Sequence, residues 1–78
     1  MSRLFGGKYW VVNVGDDDPH ASRHTDITEA EKDAASRSTK SFHRTAYVRR
    51  SSGQKIREYS NGKLVGYLGG QDESWQKT

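Results

Sequence analysis

The chain has no cysteine, only one proline and no long apolar run. Without cysteine it can form neither a disulfide nor a cysteine-ligated zinc or iron–sulfur site. Residues 1–7 contain no apolar stretch of the kind found in signal peptides. No segment approaches the roughly 20 apolar residues that a membrane-spanning helix needs. We therefore expect a protein without a membrane span, located in the cytoplasm.

Apolar residues are also scarce, at 31% of the 78 residues, and the mean hydropathy is −1.05. This length predicts a single domain over residues 1–78. Such a short chain buries only about 60% of its unfolded surface, so few residues can form the core. The candidate core residues are Trp10, Val12, Val14, Ile27, Ala30, Ala34, Phe42, Ala46, Val48, Ile56, Leu64 and Leu68.

Charge is divided unevenly along the chain. Residues 16–33 hold seven acids and two bases, whereas residues 43–68 hold six bases and one acid. The net charge of the whole chain is +3. This asymmetry favours a polyanionic partner or packing between oppositely charged parts of the protein itself.

The first half of the chain predicts a strand, a loop and a helix. Lys8–Val14 is rich in aromatic and β-branched residues and ends at a glycine, which is typical of a strand. Residues 15–24 are polar and acid-rich, so we expect a mobile acidic loop. A capping box, Asp26 with Glu29 or Thr28 with Glu31, begins the helix.

In the second half, alternation with a period of two predicts three strands, Arg44–Arg50, Gln54–Ser60 and Lys63–Leu68. The fold class is then α+β in the order β-α-β-β-β, with one helix packed on a small, largely antiparallel sheet whose opposite face is open. The first strand can lie beside the second or beside the fourth. Residues 1–7 and 71–78 are predicted to be flexible tails, in which only Trp75 is a candidate for docking.

Two similar turns, Ser51-Ser52-Gly53 and Ser60-Asn61-Gly62, separate these three strands. A two-residue turn at Asn61-Gly62 would place Tyr59 beside Leu64 and mix apolar with charged residues on both faces. A three-residue loop closed by a glycine in the left-handed conformation separates apolar residues from charged residues on the two faces, so we predict this loop at both turns. That register pairs Val48 with Ile56.

With this register, one sheet face collects tyrosines and bases. The predicted site residues are Tyr47, Arg49, Lys55, Arg57, Tyr59, Lys63 and Tyr67. In the first strand, Trp10, Val12 and Val14 are predicted to face the core, and Tyr9, Val11 and Asn13 to face outward.

Aromatic rings interleaved with basic residues are typical of surfaces that stack nucleobases and contact phosphates. We therefore expect a non-catalytic protein that binds DNA or RNA through this face. The alternative is a protein partner, because tyrosine and arginine are enriched at interface hot spots. In that case the chain would be an inhibitor or regulator of a nucleic-acid-handling machine, of the kind that phages and mobile elements encode.

The sequence offers little for catalysis or metal binding. Asp16–His20 together with His24 could present carboxylate and imidazole ligands, but the spacing is not that of an EF-hand, and consecutive aspartates usually stay solvated. Hydrolase serine motifs and phosphate-binding glycine loops are missing. We expect no enzyme activity, no metal and no cofactor.

Overall fold

The computed structural model describes residues 8–15, 21–69, 71 and 73–78. Its elements are β1 (Tyr9–Asn13), β2 (Ser22–His24), α1 (Ile27–Ser38), β3 (Thr45–Arg50), β4 (Lys55–Ser60), β5 (Lys63–Gly69) and β6 (Ser74–Lys77). They form one helix on a six-stranded antiparallel sheet with strand order β2-β1-β3-β4-β5-β6. The α+β class and the order of the five predicted elements are confirmed.

Two short strands go beyond the predicted elements and form the outer edges of the sheet. β2 lies in the segment predicted as a mobile loop, and β6 lies in the segment predicted as a flexible tail. Both predictions are corrected at these residues. The backbone N–H and C=O groups of β2 and β6 find hydrogen-bond partners on β1 and β5, and sequence patterns alone do not predict these pairings. Residues 1–7 and 16–20 lie outside the described residues.

The helix begins as the capping pattern predicts. The Asp26 carboxylate accepts a hydrogen bond from the backbone N–H of Glu29 at 3.3 Å. Small residues spaced four apart, Ala30, Ala34 and Ser38, form the buried stripe of the helix. Because these side chains are small, the helix axis can approach the sheet closely.

The core lies between this stripe and the helix side of the sheet. It consists of Val11, Ala30, Ala34, Ala46, Val48 and Ile56. Val11 is fully buried opposite Val48, so the predicted orientation of β1 is wrong and its odd-numbered residues face the helix. Val12, paired with Tyr47, is buried on the other side of the sheet. Phe42, a predicted core residue, is 93% exposed.

The two similar turns differ in structure. Gly53 and Gly62 both have positive φ, +103° and +85°, as predicted. At the first turn, Arg50 pairs with Gln54 around a three-residue loop. At the second, Asn61 also has positive φ and Ser60 pairs with Lys63, so this turn has two residues and the predicted three-residue loop is wrong.

Each of the two hairpins contains one irregularity of register. Between Arg49↔Lys55 and Val48↔Arg57, Ile56 is an extra residue on β4. Between Tyr59↔Leu64 and Glu58↔Gly66, Val65 is an extra residue on β5. Val48 therefore lies opposite Arg57, and the predicted pairing of Val48 with Ile56 is wrong. Each bulge reverses which residues of its strand face the helix.

The second turn docks against the end of the helix. The backbone N–H of Gly62 donates to Ser38 Oγ at 2.7 Å, and that hydroxyl donates to the carbonyl of Ala35 at 2.8 Å. Ser38 is completely buried, and both of these hydrogen bonds are within the protein. The contact fixes the β4–β5 hairpin relative to the helix.

Candidate functional site

The sheet face opposite the helix carries a row of rings and bases across neighbouring strands. Trp10 on β1 lies between Arg23 on β2 and Arg49 on β3. The guanidinium carbon of each arginine is 4.2 Å from the centre of the indole. Both distances are within the range of a cation–π contact, so one indole is held by two planar cations.

A second group continues this row toward β6. The ammonium nitrogen of Lys55 lies 4.9 Å from the Trp75 ring centre and 5.7 Å from that of Tyr47. It also forms an ion pair of 2.8 Å with Glu58. We call this surface the open face; its described members are Trp10, Arg23, Tyr47, Arg49, Lys55, Glu58, Lys63, Trp75 and Lys77.

A glycine creates the space for Trp75. Gly66 on β5 is buried, and a Cβ atom added to it would lie 2.5 Å from the Trp75 ring. The indole therefore lies directly over the backbone of β5 and reaches toward Lys55 on β4. A side chain at residue 66 would displace the ring from the open face.

The two sides of the sheet differ in charge. Among the open-face residues named above, five are basic and one, Glu58, is acidic. The helix and its cap, by contrast, carry four acids, Asp26, Glu29, Glu31 and Asp33, and two bases, Lys32 and Arg37. The charge asymmetry of the sequence thus becomes an asymmetry between the basic open face and the acidic helix.

On the helix side, His24 and Arg37 both bond the same carboxylate. Asp33 accepts from His24 at 2.9 Å and from Arg37 at 3.2 Å, and Arg37 also bonds the hydroxyl of Ser22. Burial raises the pKa of Asp33, but these hydrogen bonds and the Arg37 charge outweigh burial and hold the pKa below its ordinary value. The network fastens the edge strand β2 to the helix.

The structure divides the predicted site residues between the two faces. Tyr47, Arg49 and Lys55 come together on the open face, and the register places the exposed Lys63 on the same side near the second turn. The other three predicted residues, Arg57, Tyr59 and Tyr67, lie on the helix side. Placing all seven on one face is therefore wrong, and the physical reason is the two bulges, at Ile56 for Arg57 and Tyr59 and at Val65 for Tyr67.

The three displaced residues have structural contacts. Arg57 Nε forms an ion pair of 2.9 Å with Glu31 on the helix. Tyr59 packs against the core cluster. Burial raises the pKa of Tyr59, and the Glu31 carboxylate raises it further, while Arg57 acts in the opposite direction. Tyr67 lies opposite Arg57.

Sequence reasoning missed five of the nine members of the open face, namely Trp10, Arg23, Glu58, Trp75 and Lys77. The run Tyr9–Val12 is apolar at every position, so alternation gives no signal for which side faces the helix. β2 and β6 are only three and four residues long. The one available signal was Trp75 itself, since a tryptophan in a polar tail suggests a docked residue.

The candidate metal loop is not assembled in the described part of the chain. His24 bonds Asp33, and Asp16–His20 lie outside the described residues. Within residues 8–15, 21–69, 71 and 73–78, no group of three or more histidine or acidic residues is placed to hold a metal ion. In the same residues, no helix is long and apolar enough to cross a membrane.

Comparison with known proteins gives no relative: no family model, curated protein or solved structure shows a significant match to this chain. The geometry of the open face is therefore the basis for assigning a function.

Proposed function

We propose that the chain is a non-catalytic protein that binds single-stranded nucleic acid through its open face. The observation that carries this proposal is the row of rings and cations in which Trp10 lies between Arg23 and Arg49 and Lys55 lies between Tyr47 and Trp75. Such a row offers stacking surfaces and phosphate partners in alternation, which a single strand needs.

The shape of the face favours a single strand over a duplex. The only helix of the described chain packs on the other side of the sheet and carries acids. Reading the major groove requires an inserted helix or two-stranded ribbon, and in the described part of the chain none projects from the open face. Unstacked bases, by contrast, can lie on rings presented by a sheet.

The cations that hold Trp10 are compatible with this role. A guanidinium stacked on an indole is oriented in a plane and keeps its N–H groups at the edge, where they can donate to phosphate oxygens. A base can then extend the stack on the outer side of an arginine or replace it on the ring. Fixing Arg23 and Arg49 in advance lowers the entropy lost on binding.

The test is a titration with single-stranded and duplex oligonucleotides, followed by tryptophan fluorescence and by the amide resonances of residues 9–13 and 45–50. We expect saturable binding of single strands below about 100 µM at low salt, where non-specific binders already bind. Duplexes should bind more weakly. If no single strand of DNA or RNA binds in this range, the proposal is refuted.

A protein partner is the second candidate, favoured by one observation. Both arginines beside Trp10 already contact its ring, so the free stacking area is smaller than on a bare aromatic platform. Tryptophan, tyrosine and arginine are also the residues most enriched in protein hot spots. In this case the chain would inhibit or regulate a nucleic-acid-handling machine, and its complex would depend less steeply on salt than a phosphate-based one.

A further inference from the structure

A separate pocket lies where β1 begins and β3 ends, beside the first turn. Its volume is about 410 Å³, and its lining consists of Lys8, Tyr9, Arg50, Ser51 and Ser52. This volume is within the range of small-molecule sites. The pair Tyr9↔Arg50 lies on the helix side of the sheet by register, so the pocket is distinct from the open face.

The lining is suited to an anion. Lys8 immediately precedes β1 and Arg50 ends the neighbouring strand β3, and both line the pocket together with Ser51 and Ser52 of the turn. Among the residues that the structure describes, no carboxylate lines the pocket. Among the described residues, neither Lys8 nor Arg50 forms a salt bridge, so both charges are available to a ligand.

The turn holds this arrangement in place. Arg50 N–H donates to the carbonyl of Gln54 at 2.8 Å, and the N–H of Gly53 donates to the carbonyl of Arg50 at 2.8 Å. The positive φ of Gly53 closes the three-residue loop, so the two serines stay beside Arg50. Arginine presents a planar set of donors that matches tetrahedral oxyanions, and lysine adds a compact charge.

We propose that this pocket binds a phosphate monoester. A monoester carries a charge of about −1.5 to −2 at neutral pH, so it gains more from two cations than an internal phosphodiester does. The ligand would be either the phosphorylated end of a nucleic-acid strand or a small phosphorylated molecule. The proposal does not depend on nucleic-acid binding by the open face.

The primary test is a titration of the full chain with inorganic phosphate at constant ionic strength, balanced with sodium chloride. We expect saturable shifts of the amide resonances of residues 50–53. Arg50→Gln should weaken the affinity about tenfold, the usual effect of losing a charge-assisted hydrogen bond. Lys40→Gln is the matched control, since it removes one charge from the far end of the helix. Shifts that do not saturate, or that are equal in both variants, overturn the proposal.

The second arm identifies the source of the phosphate. A 5′-phosphorylated oligonucleotide is compared with the same oligonucleotide bearing a 5′-hydroxyl, in the wild type and in Arg50→Gln. If the phosphorylated strand binds more tightly to the wild type, and Arg50→Gln abolishes this difference, the result would support a strand end as the ligand. Equal binding of the two strands, with inorganic phosphate still bound, would support a small phosphorylated molecule. Neither result depends on the open-face variants, so the two proposals fail separately.

Discussion

The two faces of the sheet use basic residues in different ways. On the helix side, Arg57 and Arg37 form ion pairs with Glu31 and Asp33 on the helix. On the open face, Arg23 and Arg49 lie against the ring of Trp10. A carboxylate compensates the charge of the base it pairs with, whereas an aromatic ring orients the cation that lies against it.

This difference shows that the number of bases on a strand says little about their availability. Arg49 and Arg57 are both half-buried arginines on central strands. Arg57 forms an ion pair with Glu31 on the helix, whereas Arg49 lies against the Trp10 ring on the open face. We therefore expect substitution of Arg57 to reduce stability and substitution of Arg49 to reduce binding at the open face.

The largest effect on stability is expected from Gly62→Ala. Gly62 has φ of +85°, and a Cβ there would lie 3.0 Å from Thr39 Cγ2. Strain and contact together should lower the free energy of unfolding by about 2 kcal/mol. Urea denaturation followed by circular dichroism measures this value.

Gly53→Ala is the control for that prediction. Gly53 has φ of +103°, but nothing lies within 4 Å of an added Cβ. Only the backbone strain of a non-glycine residue at positive φ remains, so the free energy of unfolding should fall by about 1 kcal/mol. Equal losses at both glycines would contradict the docking of the second turn on the helix.

Removing the Trp10 ring should weaken binding at the open face. Trp10→Leu keeps an apolar side chain on β1 but removes the stacking surface between Arg23 and Arg49. We expect single-strand affinity to fall about tenfold, since stacking contributes about 1–3 kcal/mol per base. Fluorescence anisotropy of a labelled oligonucleotide measures this, at a temperature where circular dichroism shows the variant folded. Unchanged affinity would rule out Trp10 as a stacking platform.

On the helix side, Asp33→Asn should make stability less dependent on pH. Because the pKa of Asp33 is lowered by folding, its carboxylate stabilises the protein above the unfolded value of 3.8, and this contribution is lost as pH falls through the folded pKa. At neutral pH we expect a loss of about 1 kcal/mol, given the partial exposure of the group.

Urea denaturation of the wild type and of Asp33→Asn between neutral and strongly acidic pH checks this prediction. The two unfolding free energies should converge as the pH falls. A constant difference across the whole range would show that the carboxylate charge of Asp33 is not what fastens β2 to the helix.

A smaller effect on binding is expected from Gly66→Ala. The added methyl would lie 2.5 Å from the Trp75 ring and move it away from Lys55. We expect affinity to fall about threefold, because one of several rings is displaced rather than removed. Trp75→Leu is the comparison variant. If Gly66→Ala alters Trp75 fluorescence without altering affinity, Trp75 does not belong to the site.

The sequence predicted the helix and its cap well, because Asp26 and the spacing of Ala30 and Ala34 are local signals. It also predicted that Gly53 and Gly62 adopt positive φ. The three-residue loop at the first turn is confirmed. Of the open face it predicted the central members, Tyr47 and Arg49 with Lys55.

The sequence could not determine which residues of each strand face the helix. The same Ser-x-Gly pattern produces a three-residue loop at Gly53 and a two-residue turn at Gly62, where Ser38 on the distant helix binds the glycine N–H. The bulge at Ile56 then moves Arg57 and Tyr59 to the helix side. These outcomes depend on tertiary contacts, which override local turn preference.

The most direct test of the open face compares the salt dependence of single-strand affinity in Arg49→Gln and Arg57→Gln. The two arginines were indistinguishable in the sequence, and only Arg49 lies on the open face. Arg49→Gln should reduce the slope of log affinity against log salt by about 0.7, the value for one phosphate contact to a single strand. Arg57→Gln should leave the slope at the wild-type value. Equal reductions in both variants, or a reduction in Arg57→Gln alone, would contradict binding through the open face.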